Sequence, residues 1–340
     1  MTEEKRQQVV IFEATQRCNL KCRFCYNIWH KHPDSVHDDL SPRETREMLG
    51  KLLAEARPYN FTVSGGEPTL RKDIIDIILQ GALSGATVYL ITNGQSLDRK
   101  FARKLVRAGV NTFEIQLLSD RAEEHEYLQG CEGSFEKSLG GIQAVLKTKA
   151  RMIGALVLTK KNLPRLAETL RLYRELGIHG CMLNRFNPGG RGIENLAELS
   201  LGPEDVKKML TVAEEFSAKY RYPISCSIPI PVCLVSMKNY PHLGFGFCSA
   251  GEEMSYPTID SVGNMRPCNH SPVVIGNIRE ANFWELMDSP IRCKFIETIP
   301  EICAGCKDIA ECKASCRAAA VECGGTEPFV QEILKDMSPG

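Results

Sequence analysis

The chain has 340 residues, 43% of them hydrophobic, enough to bury one or two cores. Its 42 Lys and Arg balance 42 Asp and Glu, so no basic excess points to nucleic acid or to a membrane surface. No apolar run reaches the roughly 18 residues of a membrane helix, and the opening MTEEKRQQVV is not followed by the apolar core of a secretory signal.

In chain order, the first β-rich run is VVIFEAT at 9–15, which leads into a loop carrying Cys18, Cys22 and Cys25. SPRETREMLGKLLAEA follows with helix signals: Ser41 as N-cap, Pro42 at the first helical position and Glu44 completing a capping box. YNFTVSG at 59–65 runs into SGGEPTL, TVYLIT at 87–92 into TNG, and TFEIQLL at 112–118 into QLLSD. ARMIGALVLT at 150–159 precedes a helix expected to start at Asn162 and stop at Gly177, and GCMLNRF at 180–186 runs into NRFNPGGRG. Six βα units of roughly 30 residues predict a parallel sheet with helical crossovers, open or rolled into a barrel. Every unusual stretch falls at the C-terminal end of a strand, the edge where such folds build active sites.

EDVKKMLTVAEEFSAKY has helical spacing with its charges on one face and reads as a structural helix joining two domains. After Tyr220 the composition changes to the proline-rich YPISCSIPIPVC, and the last 93 residues hold 8 of the 15 cysteines. Helical patterns there are few and apolar content is thin, so this segment is expected to fold around metal. A cytoplasmic location is the expectation, and there cysteines suit metal ligands or free thiols better than disulfides.

Cys18, Cys22 and Cys25 lie within eight residues of one another, with no further cysteine until Cys131. A structural zinc would ask for a fourth local ligand, and disulfides would leave one thiol over. Three thiolates from one loop suit a [4Fe–4S] cube with one iron left open to a small molecule.

At this point CNLKCRFC resembles the C-x3-C-x-aromatic-C signature of the radical S-adenosylmethionine (SAM) enzymes, and GGEPTL resembles their GGEP motif. The resemblance covers roughly residues 9–190. It implies a partial (β/α)6 TIM-type barrel in which reductive cleavage of SAM yields methionine and a 5′-deoxyadenosyl radical that abstracts substrate hydrogen. It places Cys18, Cys22 and Cys25 on the cluster, and Glu67 on the SAM ammonium. Gly65 and Gly66 would allow close backbone approach, and Pro68 would stiffen the turn. Asn93, with Gln116 or Ser119, would meet ribose or carboxylate, and Phe24 and Tyr26 would pack near adenine. Many members carry an SLDG-like stretch where this chain has QLLSD, which leaves Gln116 and Ser119 open.

The C-terminal spacing Cys248-x14-Gly263-x4-Cys268, then Cys303-x2-Cys306-x5-Cys312-x3-Cys316, then Cys323, resembles the seven-cysteine SPASM pattern. By resemblance, Cys248, Cys268 and Cys316 would hold auxiliary iron–sulfur cluster I, and Cys303, Cys306, Cys312 and Cys323 auxiliary cluster II. The fourth position of cluster I falls to Cys233, to Cys226, or stays open to substrate. The expected domains are the barrel at 1–198, a linking helix and bridging segment at 199–240, and the small cysteine-rich domain at 241–340.

The expected function is a radical SAM/SPASM enzyme that modifies a ribosomally made peptide or protein by carbon–carbon or thioether linkage, oxidation or decarboxylation. The alternative is a small-molecule enzyme of cofactor, tetrapyrrole, antibiotic or nucleoside biosynthesis. An electron carrier is a third reading, disfavoured because passing electrons needs no GGEP cradle. About eight residues precede the first strand, too few for an N-terminal peptide-recognition domain, so a peptide would need a separate recognition protein or capture at a strand edge. A flavodoxin or ferredoxin reductase is the other expected partner.

Plainer readings cover the rest. Taken alone Cys303–Cys316 is compatible with zinc, but not beside the other two motifs. Cys131, Cys181 and Cys293 read as ordinary thiols. His30, His32 and His37 read as a solvated loop, and Asp120, Glu123, Glu124 and His125 as a solvated helix start or a proton donor. Asn184 and Arg185 are candidates for an approach to adenine, against a simple turn.

Overall fold

The computed structural model describes residues 5–248, 250 and 255–337, so the expected domain ends at 1–4 and 338–340 lie outside the described residues. Strands β1 (Val9–Glu13), β2 (Asn60–Ser64), β3 (Thr87–Thr92), β4 (Val110–Gln116), β5 (Arg151–Leu158) and β6 (Cys181–Arg185) pair in chain order, all parallel. Between them run helices α1 (Pro42–Ala56), α2 (Ile74–Leu83), α3 (Arg99–Ala108), α4 (Ala122–Gln129), α5 (Ser134–Leu146) and α6 (Leu166–Leu176). This is the parallel βα repeat that the alternation of patterns predicts, in the partial (β/α)6 barrel form that the resemblance implies.

The strands alternate as the period of two requires. Phe113 and Ile115 of β4 are fully buried against the helices, while Glu114 and Gln116, which alternate with them, turn to the other side, the barrel lumen. Phe61, Val88, Leu90, Met152 and Leu156 join them beneath Leu49, Leu52, Ile78, Leu105 and Ile142. Each such side chain contributes roughly 1.5–3 kcal/mol by leaving water.

Local signals set the element ends. Ser41 Oγ accepts the Glu44 N–H, and Glu44 Oε2 accepts the Ser41 N–H at 3.1 Å, the capping box read from the sequence. Asn162 does not cap α6. Its Oδ1 accepts the Thr159 N–H at 2.8 Å and its amide donates to Leu118 and Val157 carbonyls, so a 3-10 turn over Leu163–Arg165 intervenes. Gly177, at φ +82°, does end the helix.

Beyond β6 come the short α7 (Leu196–Leu199) and the long α8 (Pro203–Tyr220), whose Val206, Met209, Leu210 and Phe216 are buried. Strands β7 (Ile224–Cys226) and β8 (Leu243–Phe245) extend one edge of the sheet. The cysteine-rich segment reaches the opposite edge. Its β9 (Thr258–Ile259) pairs parallel with β1, and β10 (Asn264–Arg266) and β11 (Gly276–Asn277) follow antiparallel. One eleven-stranded sheet results, ordered β11-β10-β9-β1-β2-β3-β4-β5-β6-β7-β8. A buried ion pair between Arg266 and Glu13 fastens the added strands to the barrel.

The C-terminal segment is more helical than its sequence suggests. Short helices span Phe283–Met287, Pro290–Glu297, Ile309–Cys312, Arg317–Glu322 and Pro328–Met337. Most are too short for an amphipathic period to register, and caps start some of them. Asn282 caps Phe283–Met287, and Trp284 Nε1 donates to the Glu55 carbonyl of α1 at 3.0 Å.

Candidate active site

The loop after β1 is fixed by the end of β2. The Gly66 N–H donates to Thr15 O at 2.7 Å and the Glu67 N–H to Arg17 O at 2.8 Å. A Cβ on Gly65 would lie 2.5 Å from Thr15 O, and one on Gly66 would lie 2.4 Å from Arg17 O. Only glycine lets the two backbones approach so closely. Gly65 also sits at φ +129°.

This apposition bounds a cavity of about 90 Å³, open at its mouth, on the C-terminal edge of the strands. Cys18, Cys22 and Cys25 line it, with Phe24, Tyr26, Gly65, Gly66, Asn93 and Gln116. Burial raises all three thiols, and their mutual charge raises Cys22 further; Cys25 is pushed up to about 11. The opposing cation is Arg191, whose Nη1 donates to Cys22 O at 3.4 Å and whose Nη2 meets His30 Nδ1 at 3.2 Å. Burial, then the Arg191 charge, lowers His30 to about 4, so its ring is neutral.

Other expected contacts stand behind the wall. Glu67 is fully buried and does not line the cavity. Its Oε1 accepts from Thr69 N at 3.0 Å, Thr69 Oγ1 at 2.5 Å and Thr92 Oγ1 at 2.7 Å, while Oε2 accepts the Asn93 N–H at 2.7 Å. Those donors hold the carboxylate and join the GGEP turn to the end of β3. Pro68 opens the 3-10 turn Pro68–Leu70. Ser119 is fully buried, donating to Glu124 Oε2 at 2.7 Å and accepting the Arg121 N–H. Asn93 bridges to the cysteine loop through Nδ2 to Asn19 Oδ1 at 2.8 Å.

The NPGGRG stretch works differently from the expectation. Asn184 Oδ1 accepts from the N–H groups of Ser227 and Ile228, and Arg185 pairs with Glu327 at 2.5 Å; neither lines the cavity. The glycines instead pack on the cysteine loop, since a Cβ on Gly190 would lie 2.3 Å from Asn27 O. The histidine stretch is likewise engaged and not merely solvated. His32 and Lys31 pair with Glu322, and His37 with Asp260 at 3.1 Å.

Three residues that sequence reasoning passed over enter here. Arg191 lies inside a motif that was noticed for its glycines. Glu114 shares the lumen face with Gln116, between its register partners Ile91 and Ile153, and no described residue donates a hydrogen bond to it. Burial alone raises it to about 7. A polar residue between Phe113 and Ile115 was its only signal. His270 carried none beyond standing two residues after Cys268. Its ring stacks on Tyr26 at 3.8 Å, and its Nδ1 meets Asn187 Nδ2 at 3.1 Å.

The remaining thiols form groups. Cys248, Cys268 and Cys316 gather around Ala250, Phe295 and Ala318 and feel one another's charge; burial first, then neighbouring charges, pushes Cys268 and Cys316 up to about 12. Arg317 Nη1 donates to Cys248 Sγ and Asn187 Nδ2 to Cys316 Sγ, each at 3.3 Å. Neither candidate for a fourth position stands with this group. Cys226 is buried in the main core with Cys181, and Cys233 packs against that core, its thiol raised by burial and then by the charges of Cys312, Cys303 and Cys306. Cys323 has Glu327, Lys31 and Glu322 for neighbours.

Among the described residues no three His, Cys, Asp or Glu side chains converge closely enough to hold a single ion. A cube distributes its thiolates over separate irons and asks for no such convergence. Thiol-only donor sets, with N–H groups and guanidinium ions turned toward two of the sulfurs, fit iron–sulfur clusters.

Comparison with known proteins agrees with this chemistry. A family model described as the radical SAM superfamily matches residues 12–173, and one described as an iron-sulfur cluster-binding domain, SPASM, matches 248–307. The AdoMet-dependent heme synthase of Methanosarcina barkeri is 28% identical over 94% of this chain and 93% of its own. The PqqA peptide cyclase of Gluconobacter oxydans is 22% identical over 96% and 91%. Among solved structures, anSMEcpe with bound AdoMet superposes with a TM-score of 0.72 at 18% identity, covering 97% of this chain and 95% of that one. Streptococcus suis SuiB bound to its precursor peptide SuiA gives 0.74 at 15%, covering 97% and 76%. Both share the fold.

Proposed function

The chain belongs to the radical SAM superfamily and carries a SPASM iron–sulfur domain, and we propose that this enzyme takes a hydrogen atom from a substrate held in the barrel lumen beside Glu114 and the Tyr26–His270 pair. SAM and iron–sulfur clusters are its cofactors. Bound at a reduced four-iron cluster, SAM supplies the radical that takes the hydrogen. The observation that carries the reading is one cavity shared by Cys18, Cys22, Cys25, the Gly65–Gly66 backbone, Asn93 and Gln116.

In this reading the three thiols hold the cluster, and Arg191 offsets its negative charge. Gly65 and Gly66 present bare backbone to SAM, Asn93 and Gln116 orient it, and Glu67 keeps those walls in register. Glu114 takes a proton from the substrate. The barrel at 1–198, the bridge at 199–240 and the cluster domain at 241–340 remain the proposed division, although β9 places the last on the barrel's own sheet.

The substrate class we favour is a tetrapyrrole of the haem series, because a relative with that name matches over more than nine-tenths of both chains. A peptide is the second reading, supported by the similarly complete match to a peptide cyclase and by the fold shared with SuiB. A peptide-recognition protein belongs to that second reading only, and a flavodoxin or ferredoxin as electron donor belongs to both. No described helix is long and apolar enough to cross a membrane, and a cytoplasmic site is part of the proposal.

The test is anaerobic. Reconstituted protein with SAM and dithionite should form 5′-deoxyadenosine, quantified by mass spectrometry, and a Cys18/Cys22/Cys25 triple alanine variant should not. Stimulation of turnover by an iron coproporphyrin and not by leader peptides would support the first substrate class, and the reverse the second. Failure to bind SAM at all would sink both.

A further inference from the structure

We propose that the outer face of α3 is the docking surface for an acidic one-electron donor protein of the flavodoxin class. The inference rests on the reading of the chain as a radical SAM enzyme and names the surface through which its electron arrives.

α3 carries Arg99, Lys100, Arg103, Lys104 and Arg107 within nine positions, and no acid stands between Asp98 and Glu114. By helical geometry the five fall within an arc of about 140°, in a stripe about 12 Å long. Ala102, Leu105 and Ala108 are buried on the opposite face. All five cations are exposed, and among the described residues none makes an ion pair or a side-chain hydrogen bond.

This arrangement works against the helix. Arg99 and Arg103, Lys100 and Lys104, and Arg103 and Arg107 are like charges four residues apart, which repel. Arg99 and Lys100 also stand in the first turn, at the positive end of the helix dipole. Other helices offset their cations. α1 pairs Arg43 with Glu47 and Lys51 with Glu55, each at 3.0 Å, α6 pairs Arg171 with Glu168 at 3.3 Å, and α8 pairs Lys207 with Glu204 at 2.7 Å. The chain as a whole is neutral, so the stripe is not a share of general basicity. On a neutral protein, one uncompensated stripe draws an acidic partner to one place.

The N-terminal end of α3 adjoins the cysteine loop. Gln95, four residues before Arg99, accepts from Asn19 Nδ2 at 3.3 Å through its Oε1, and its Nε2 donates to Gln129 Oε1 at 3.3 Å. The Gln129 carbonyl in turn accepts the Lys21 N–H at 3.3 Å. Cys18, next to Asn19, is the exposed member of its triplet, whereas Cys22 and Cys25 are partly buried. A protein seated on Arg99 and Lys100 therefore abuts the exposed edge of the loop that would carry the first cluster. One electron passes from the donor's reduced flavin to that cluster, the flavin is oxidised by one electron, and no atom is transferred. A stripe of this size suits the small interfaces of transient redox pairs, which must part after each electron.

The test uses the full-length, anaerobically reconstituted protein, an acidic flavodoxin as the probe, and the variant K100Q/R103Q/K104Q. K208Q/K219Q/K238Q, exposed lysines elsewhere, removes the same charge as a control. Flavodoxin binding is measured by biolayer interferometry from about 50 to about 300 mM salt. The rate of cluster reduction by flavodoxin hydroquinone is followed by freeze-quench electron paramagnetic resonance. The α3 variant should bind flavodoxin at least tenfold more weakly at low salt, lose most of the wild type's salt dependence and slow cluster reduction in proportion. With dithionite, which needs no docking, it should form 5′-deoxyadenosine at the wild-type rate, and its thermal midpoint should be equal or higher. Wild-type flavodoxin affinity in the α3 variant would overturn the proposal, as would an equal loss in the control variant. Weaker binding of an acidic leader peptide with unchanged flavodoxin affinity would overturn it too, and assign the face to that peptide. Absence of 5′-deoxyadenosine from wild type with dithionite would instead overturn the enzymatic reading on which the proposal rests.

Discussion

The Tyr26 ring lies on the His270 imidazole with centroids 3.8 Å apart and planes 18° from parallel. Tyr26 follows Cys25 directly, and His270 stands two residues beyond Cys268, so the stack joins two cysteine sets from opposite ends of the chain. Asn269 Nδ2 donates to Tyr26 Oη at 2.7 Å and fixes the ring further. His270→Ala should therefore cost about 2–3 kcal/mol through lost stacking and a cavity. His270→Phe should restore most of it, because only the contact to Asn187 goes. Hydrogen exchange of peptides spanning 20–32 and 264–275 checks this: faster exchange at both in H270A and near-native exchange in H270F. Equal loss in both variants would mean that the Asn187 contact matters and the stack does not.

Glu67 tests a different relation, since it acts through neighbours. Replacing it with Gln leaves either the Asn93 N–H or the Thr69 and Thr92 donors facing an amide NH2. A buried donor without an acceptor costs roughly 1–3 kcal/mol. E67Q should lower the thermal midpoint and weaken SAM binding at least tenfold by equilibrium dialysis, because Asn93 and the GGEP turn lose register. Wild-type SAM affinity in E67Q would refute the positioning role.

The sequence discloses the βα repeat because each strand alternates or runs apolar over enough residues for period two to register, and because Ser41, Pro42 and Gly177 punctuate the helices. The three-cysteine loop and the glycines of GGEP are local motifs, so their shared cavity is also foreseeable. What escapes are relations between distant positions. The partners of Glu67 lie partly on another strand, and Asn184 and Arg185 serve 227–229 and 315–327. Spacing along the chain holds no information about these. Nor does it reveal helices of four to eight residues, which complete at most about two turns.

Gly66 offers a steric test. A Cβ there would meet the carbonyl carbon of Arg17 at 2.8 Å as well as its oxygen, and backbone atoms cannot swing aside as a side-chain end can. Gly66→Ala should displace the Cys18 loop, cost about 3 kcal/mol and reduce iron at the first cluster. Gly50→Ala is the control, because nothing lies within 4 Å of its Cβ and α1 should gain about 0.5–1 kcal/mol. Iron content and thermal midpoint of the two variants separate these outcomes. Full iron loading in G66A would show that the loop adapts.

Glu114 makes the prediction that joins stability to chemistry. Its carboxyl sits between Ile91 and Ile153, and burial raises it from 4.5 to about 7. The titratable neighbours Tyr26, Tyr173 and Cys181 are all raised by burial and stay neutral across this range. Between about pH 4.5 and 7 the folded protein holds a proton that the unfolded chain has released, so stability falls as pH rises through that window. Glu114→Gln removes the titration. Wild type and E114Q should melt alike at pH 5, and E114Q should be more stable at pH 8 by about 2 kcal/mol, after discounting for water in the lumen. If Glu114 takes a substrate proton, the same variant should lose 10²–10⁴-fold in product formation while still cleaving SAM. Glu114→Asp should recover part of that loss. Equal melting of wild type and E114Q at pH 8 would show the carboxyl to be hydrated. Wild-type product formation by E114Q would remove it from the chemistry and leave the proton to another group in the lumen.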